Sequence, residues 1–195
     1  GAVISAIPQD LKFAGEETTA EVGDNTTIRE FVTLNRGTKD KFKTVVGNNC
    51  LLMAYVHIAH DCILGNNIIL ANSVNLAGHV IIEDHAILEG LVAVQQFIHI
   101  GEYSFVTGGS LVRKNVPPFV KAAREPLSYI GINSVGLRRR GFSNESILQI
   151  EDIYRTIYLK GYNISNAIAI VEQEAPTSDE KKQIIKFIRE SKDGI

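Results

Sequence analysis

The stretch Val46-Gly47-Asn48-Asn49-Cys50-Leu51-Leu52-Met53-Ala54-Tyr55-Val56-His57-Ile58-Ala59-His60-Asp61-Cys62-Ile63-Leu64 places an aliphatic residue at every sixth position: Val46, Leu52, Ile58 and Leu64. Forward, the phase runs on through Leu70, Leu76, Ile82, Leu88, Val94, Ile100, Val106 and Val112 without a miss. Backward, it continues through Leu34, Ile28 and Val22, broken at Asp40. Four residues after each aliphatic comes a second small or branched side chain: Cys50, Val56, Cys62, Ile68, Val74, Val80, Ala86, Val92, Ile98, Ser104, Ser110 and Val116. A period of six fits neither the 3.6-residue repeat of a helix nor the alternation of a simple strand. Sustained over this length, it describes a repeat architecture.

The period fits a parallel β-helix of hexapeptide repeats. Each hexapeptide forms one flat side of a triangular prism, the aliphatic points inward, and Gly, Asn and Asp supply the corners, as in Gly65-Asn66-Asn67 and Glu83-Asp84. Similarity to known hexapeptide proteins implies a left-handed winding, against the usual crossover rule. The fold expected is therefore mainly β: a left-handed parallel β-helix over 1–118, then an α-helical C-terminal domain over 119–195. The charged stretch near 39–45 loses the aliphatic and is expected to form an external loop. Pro117-Pro118 ends the repeat, and beyond it the pattern turns helical. Ser143 is a natural N-cap for a helix through Ile147, Ile150, Ile153, Tyr154 and Ile157, with Gly161 as its stop. Further helices are expected after Ser165 and after Thr177 or Ser178. A helical cap suits the open end of a solenoid.

Composition narrows the function. A net charge of −2 over 195 residues argues against nucleic-acid binding. The one concentrated basic run is Arg138-Arg139-Arg140, either a solvated helix face or a phosphate-binding group. Two cysteines, Cys50 and Cys62, are too few for a disulfide framework and occupy the small inward slot, where packing is their expected role. No run approaches the roughly 20 apolar residues of a membrane span, and no secretory signal is visible, so cytoplasm is the expected compartment.

Coil arithmetic locates a site. Residues 18 apart stack on neighbouring coils, about 4.8 Å apart. His60 then lies under Gly78, which lies under Gln96, while Asp61 lies under His79. With His57 these residues form one polar column on a prism edge. A histidine serves as general base near neutral pH, and an adjacent carboxylate stabilises its imidazolium. A glycine above it lets a backbone N–H reach a developing oxyanion. A lone corner histidine is more often a solvated turn residue; here the stacking of His60, Asp61, Gly78 and Gln96 is what argues for chemistry. His85 and His99 fall outside the column and are read as structural.

Four segments carry a resemblance: Gln9-Asp10-Leu11-Lys12, His57-Ile58-Ala59-His60-Asp61-Cys62, Ala77-Gly78-His79 and Gly136-Leu137-Arg138-Arg139-Arg140-Gly141-Phe142. Together they resemble the UDP-N-acetylglucosamine 3-O-acyltransferase family, across essentially the whole chain. That resemblance implies transfer of a 3-hydroxyacyl group from acyl carrier protein to the 3-hydroxyl of UDP-N-acetylglucosamine, the first step of lipid A synthesis, by a cytoplasmic homotrimer. It implies His60 as general base, Asp61 as its support and the Gly78 N–H as oxyanion donor. It implies substrate contacts from Asp10, Lys12, His57, His79, Gln96, Asn133, Arg139 and Arg140. Gly108 matches the residue that sets acyl-chain length. No metal and no resident cofactor is implied, because the phosphopantetheine arrives on the carrier protein.

Three positions depart from the family pattern. Asn35 and Gln95 stand where histidine is expected, and Val135 where a carboxylate is expected near the nucleotide. Relatives carry further coils before Gln9, so the chain is expected to be an N-terminally truncated piece of a longer protein. Two alternatives share parts of the pattern. One is the N-acyltransferase of the same pathway, which normally has a separate N-terminal domain and lacks the arginine-rich tail. The other is a β-helix carbonic anhydrase, with His57, His79 and His85 as candidate zinc ligands.

Overall fold

The computed structural model describes residues 1–191 and 194–195. The first coils are built from β1 (Val3–Ala6), β2 (Thr19–Val22), β3 (Thr27–Ile28), β4 (Thr33–Asn35), β5 (Lys43–Val46) and β6 (Leu51–Leu52). Two-residue strands follow at each hexad: β7 (His57–Ile58), β8 (Ile63–Leu64), β9 (Ile69–Leu70), β10 (Asn75–Leu76) and β11 (Ile81–Ile82). The series closes with β12 (Ile87–Leu88), β13 (Ala93–Val94), β14 (His99–Ile100), β15 (Phe105–Val106) and β16 (Leu111–Val112). They stack into three sheets, one per side of the prism. Face A is β1-β4-β7-β10-β13-β16 and face B is β2-β5-β8-β11-β14. Face C runs through β3, β6, β9, β12 and β15. The arrangement is the left-handed parallel β-helix.

The hexad aliphatics fill the prism. Leu52, Ile58, Leu70, Leu76, Leu88, Ile100, Val106 and Val112 are all fully buried, and the small-slot residues Val56, Cys62, Ile68, Val74 and Val80 pack beside them. Burial of each such side chain is worth about 1.5–3 kcal/mol, and the column repeats it coil after coil. At the N-terminal end of the prism the slot opens, and Val22 is 39% exposed.

Glycine enters some corners, as at Gly65 and at Gly109 (φ 72°), but most of the left-handed positions are held by other residues. Asn49, Tyr55, Asp61, Asn67, Ser73, His79, His85, Leu91, Phe97 and Tyr103, six residues apart, all take positive φ between 54° and 66°. For L-residues this conformation costs roughly 1–2 kcal/mol each. A bond to the coil below offsets it: His79 N–H donates to His60 O, Leu91 N–H to Asn72 O and Tyr103 N–H to Asp84 O, each at 3.0 Å.

Register shows how the external loops fit. Val46 pairs with Leu64, 18 residues on, whereas Val22 pairs with Val46 and Leu34 with Ile58, each 24 residues on. The insertion is one hexad, so the phase survives it. Ile4 pairs with Leu34, 30 residues on, so residues 7–18 form a second loop two hexads long. The loop expected near 39–45 spans 36–42 instead; Lys43, Thr44 and Val45 belong to β5, because Thr44 and Val46 alternate inward.

The stretch after Pro118 also departs from expectation. It is not helical from 119: β17 (Val120–Ala123) adds to face C parallel to β15, and β18 (Ser128–Ile132) returns antiparallel to it. Val120 and Ala122 face inward while Lys121 faces out, a strand alternation that continues the prism and covers the edge of β15. Then come α1 (Ser134–Arg139), α2 (Asn144–Tyr158), α3 (Ile164–Glu174) and α4 (Asp179–Glu190). Ser143 and Ser178 cap α2 and α4; Asn163 rather than Ser165 caps α3. None of these helices is long and apolar enough to cross a membrane.

Candidate active site

The edge between faces A and B carries His60 and Asp61 at the turn after β7. His60 is 5% exposed and Asp61 fully buried, with His60 Nδ1 2.8 Å from Asp61 Oδ2. Burial pushes the Asp61 carboxyl upward, but hydrogen bonds from Thr38, His60 and Lys41 outweigh it and hold its pKa below the ordinary value. An ionised carboxylate only accepts, so His60 presents Nδ1–H to Asp61, and in the neutral imidazole Nε2 is then the acceptor nitrogen.

Gly78, one coil above, fits that ring. A Cβ there would stand 2.5 Å from His60 Cε1 and 2.7 Å from Nε2, so only glycine leaves room for the imidazole. Among the described residues the Gly78 N–H has no intramolecular acceptor. His79 meets His60 edge-on at 5.0 Å between ring centres and stacks on Phe97 at 4.6 Å. Its Nδ1 lies 3.2 Å from Asp40 Oδ2, reached from loop 36–42. Burial lowers the His79 pKa, and Asp61 partly offsets this.

Coil arithmetic had no access to the loop's own contribution. Asp61 Oδ1 accepts the N–H groups of Thr38 (3.0 Å) and Lys41 (3.3 Å); Oδ2 accepts Thr38 Oγ1–H (2.6 Å) and the His60 proton. Thr44 Oγ1 takes the Asp61 N–H at 2.8 Å. Thr38, Asp40 and Lys41 lie in an insertion whose residues have no partner 18 positions away. His60, Asp61 and His79 bring ligand atoms within 4.8 Å of one another, a spacing a metal could use. The Asp61 oxygens, however, already accept four hydrogen bonds, which leaves no free lone pair to ligate.

The other expected residues are spread along the prism. His57 lies on face A and bonds Thr33 Oγ1 through Nδ1 at 2.7 Å, its pKa lowered by burial. Gln96 is exposed on the coil above Gly78. Asp10 turns the 7–18 loop by accepting the Lys12 N–H at 2.9 Å, and Lys12 is exposed. Beside that loop two buried groups have no partner among the described residues: Asn35 Oδ1 and Arg36 Nε. Asn133 uses both side-chain atoms internally, accepting from Gly136 N at 3.1 Å to cap α1 and donating to Tyr103 O at 3.0 Å. Arg139, Arg140 and Lys121 line a cavity of about 370 Å³ with Ile87 and Phe105. Gly108 is exposed at the edge between faces C and A, where a Cβ would meet Gly90 O at 3.1 Å. The three histidines considered as zinc ligands lie on a face and two different edges and do not converge within one chain.

A hexapeptide prism with a buried histidine–carboxylate pair on its edge defines the class of bacterial hexapeptide transferases. Residues 43–78 match the family described as bacterial transferase hexapeptide (six repeats), and residues 115–195 match Udp N-acetylglucosamine O-acyltransferase, Domain 2. The acyl-[acyl-carrier-protein]–UDP-N-acetylglucosamine O-acyltransferase of Chlorobaculum parvum is 50% identical, covering all of this chain and 74% of its own length. That of Janthinobacterium sp. is 48% identical, covering 97% and 72%. The crystal structure of LpxA, a UDP-N-acetylglucosamine acyltransferase from Bacteroides fragilis, superposes with a TM-score of 0.99 at 55% identity, over all of this chain and 76% of that one. The chain belongs to the acyl-[acyl-carrier-protein]–UDP-N-acetylglucosamine O-acyltransferase family. This finding displaces the N-acyltransferase and carbonic anhydrase alternatives.

Proposed function

We propose that this chain transfers a 3-hydroxyacyl group from acyl carrier protein to the 3-hydroxyl of UDP-N-acetylglucosamine, opening lipid A synthesis in the cytoplasm. The observation that carries the reading is His60, held through Nδ1 by buried Asp61 with Nε2 free against the Gly78 backbone. His60 Nε2 takes the proton of the sugar 3-hydroxyl as its oxygen attacks the thioester carbonyl. The Gly78 N–H donates to the oxyanion, and Asp61 stabilises the imidazolium. Collapse breaks the C–S bond, and the leaving phosphopantetheine thiolate takes the proton back from His60. No resident cofactor or metal is needed.

Binding follows the same logic. Asn35 Oδ1 and Arg36 Nε, with Asp10 and Lys12 on the adjoining 7–18 loop, offer polar groups for the nucleotide sugar. Arg139, Arg140 and Lys121 offer cations for the acidic carrier or its phosphate. The catalytic edge is open on one side, and a neighbouring prism in a homotrimer supplies a second wall. Glycine at 108 leaves the acyl channel unblocked, so long donors are favoured. The test is a transfer assay with UDP-N-acetylglucosamine and 3-hydroxyacyl carrier proteins on wild type and His60→Ala. A loss of roughly 10²- to 10⁴-fold in kcat with nucleotide binding retained is expected. Near-normal turnover in the variant would reject His60 as the base.

A further inference from the structure

Thr38 grips both oxygens of Asp61 from outside the hexapeptide repeat. It is 5% exposed; its Oγ1 donates to Oδ2 at 2.6 Å and its N–H to Oδ1 at 3.0 Å. Oδ2 is the oxygen that also receives His60 Nδ1–H at 2.8 Å. The hydroxyl oxygen in turn accepts the Asp40 N–H at 3.3 Å, which directs its proton to Asp61. The charged and titratable groups around Asp61 are His60, His79 and the buried Cys62 thiol on the corner and Asp40 and Lys41 on the loop. Lys41 reaches Asp61 with its backbone N–H, and the Asp40 carboxylate is turned to His79. Thr38 is therefore the neutral group sharing the oxygen on which His60 depends.

We propose that Thr38 is a positioning residue for proton transfer: by fixing the plane of the Asp61 carboxylate it keeps Oδ2 on His60 Nδ1 and Nε2 aimed at the acceptor hydroxyl. The proposal rests on the reading of His60 as general base. It gives the one-hexad insertion at 36–42 a chemical purpose, since none of the prism residues bonded to Asp61 grips both of its oxygens.

The experiment compares Thr38→Val with Thr38→Ser in the same transfer assay across pH. Valine keeps the shape and the backbone N–H but deletes the hydroxyl; serine restores it. Without that bond Oδ2 concentrates its charge on the His60 proton, and Asp61 itself protonates more readily. Both effects move the acidic limb of kcat/KM to higher pH. Thr38→Val should lose roughly tenfold in kcat, the scale of one hydrogen bond to a charged group, with KM little changed. Thr38→Ser should return both values to wild type. Where valine disturbs the loop, Thr38→Ala against Thr38→Ser carries the same comparison, and the His60 titration followed by imidazole NMR reports the shift independently of turnover. An unmoved limb in the valine variant, or serine as impaired as valine, overturns the proposal. Wild-type turnover in His60→Ala would instead remove the reading beneath it, so the two failures are distinguishable.

Discussion

His79 and His85 occupy equivalent turn positions on different prism edges. Their φ angles are 64° and 62°, and each ring stacks on an aromatic one coil above, Phe97 at 4.6 Å and Tyr103 at 4.7 Å. The same nitrogen, Nδ1, faces a charged group at nearly the same distance. For His79 it is the Asp40 carboxylate, 3.2 Å away but not in hydrogen-bonding geometry; for His85 it is the Arg140 Nε, which donates at 3.1 Å. The scaffold places the two rings alike, and the sign of the facing charge separates their roles. The carboxylates of Asp40 and Asp61 face the ring on the A/B edge, as the proposed proton transfer requires. A guanidinium turns the B/C edge into a place that presents cations. Burial lowers both histidine pKa values, but Asp61 opposes the shift at His79 while Arg140 adds to it at His85.

The largest effects should come from breaking the A/B edge. In Asp61→Asn the amide Nδ2, placed where Oδ2 was, donates to His60 Nδ1 and forces the ring proton onto Nε2. The base is then the wrong tautomer, and kcat should fall roughly 10²- to 10⁴-fold. Imidazole NMR should find the proton moved to Nε2; a variant with wild-type turnover would show that Asp61 does not set the tautomer. Gly78→Ala should cost about 10² in kcat by displacing the ring, since misplacing a reacting group by an ångström has that cost. Gly90→Ala is its control: a Cβ at 90 meets only Asn72 O at 3.3 Å, a tight contact with backbone that can lower Tm but lies away from His60, so kcat should stay near wild type. Equal behaviour of the two alanine variants would remove the steric argument at Gly78.

Asp61 also ties the site to acid stability. Its pKa is held below the unfolded value, so its contribution is present above the unfolded pKa and is lost as pH falls through the folded one. Asp61→Asn should therefore flatten the acid limb of the stability curve below the ordinary carboxylate range. Denaturant midpoints at neutral and acid pH check this; parallel curves for both proteins would contradict it.

The same contrast explains what the sequence disclosed. The prism was legible because every hexad needs an inward aliphatic, and Val46 through Val112 leave no other register. The stacking of His60 under Gly78 followed from that register. Corner chemistry was less legible: Tyr55, Leu91 and Phe97 adopt a left-handed conformation that their side chains disfavour, because inter-coil hydrogen bonds outweigh local preference. Thr38 and Asp40 were hidden because insertions have no partner at the coil spacing. The β17–β18 hairpin was hidden because its alternation has a period of two, not six. Asn133 was expected to contact substrate; its cap on α1 and its bond to Tyr103 O, which only the fold discloses, use one of its two donors and one of its two lone pairs. Arg140 was recognised by its neighbours in the arginine run; that His85 holds it required the fold.

The smallest effect sharpens the comparison from the other edge. Because Arg140 Nε–H donates, His85 Nδ1 must be unprotonated, and the neutral ring orients the guanidinium beside Arg139 and Lys121. Arg140 also lies 5.9 Å over the Tyr103 ring, so a stack of His85 and Tyr103 supports it. His85→Phe preserves that stack and deletes only the acceptor. KM for the acyl carrier protein should then rise a few-fold, less than a fully buried charged hydrogen bond would give, because Arg140 is partly solvated. The kcat should stay unchanged, since nothing at His60 moves. pH supplies the sharper test. The His85 pKa lies below the ordinary histidine value, so the acceptor is intact at neutral pH and is lost only as pH falls through that lowered pKa, when a second cation also faces Arg140. Wild-type KM for the carrier should climb over that range, and the His85→Phe profile should stay flat at its raised value. Carrier KM profiles that coincide for the two proteins would show that His85 only fills space on its edge.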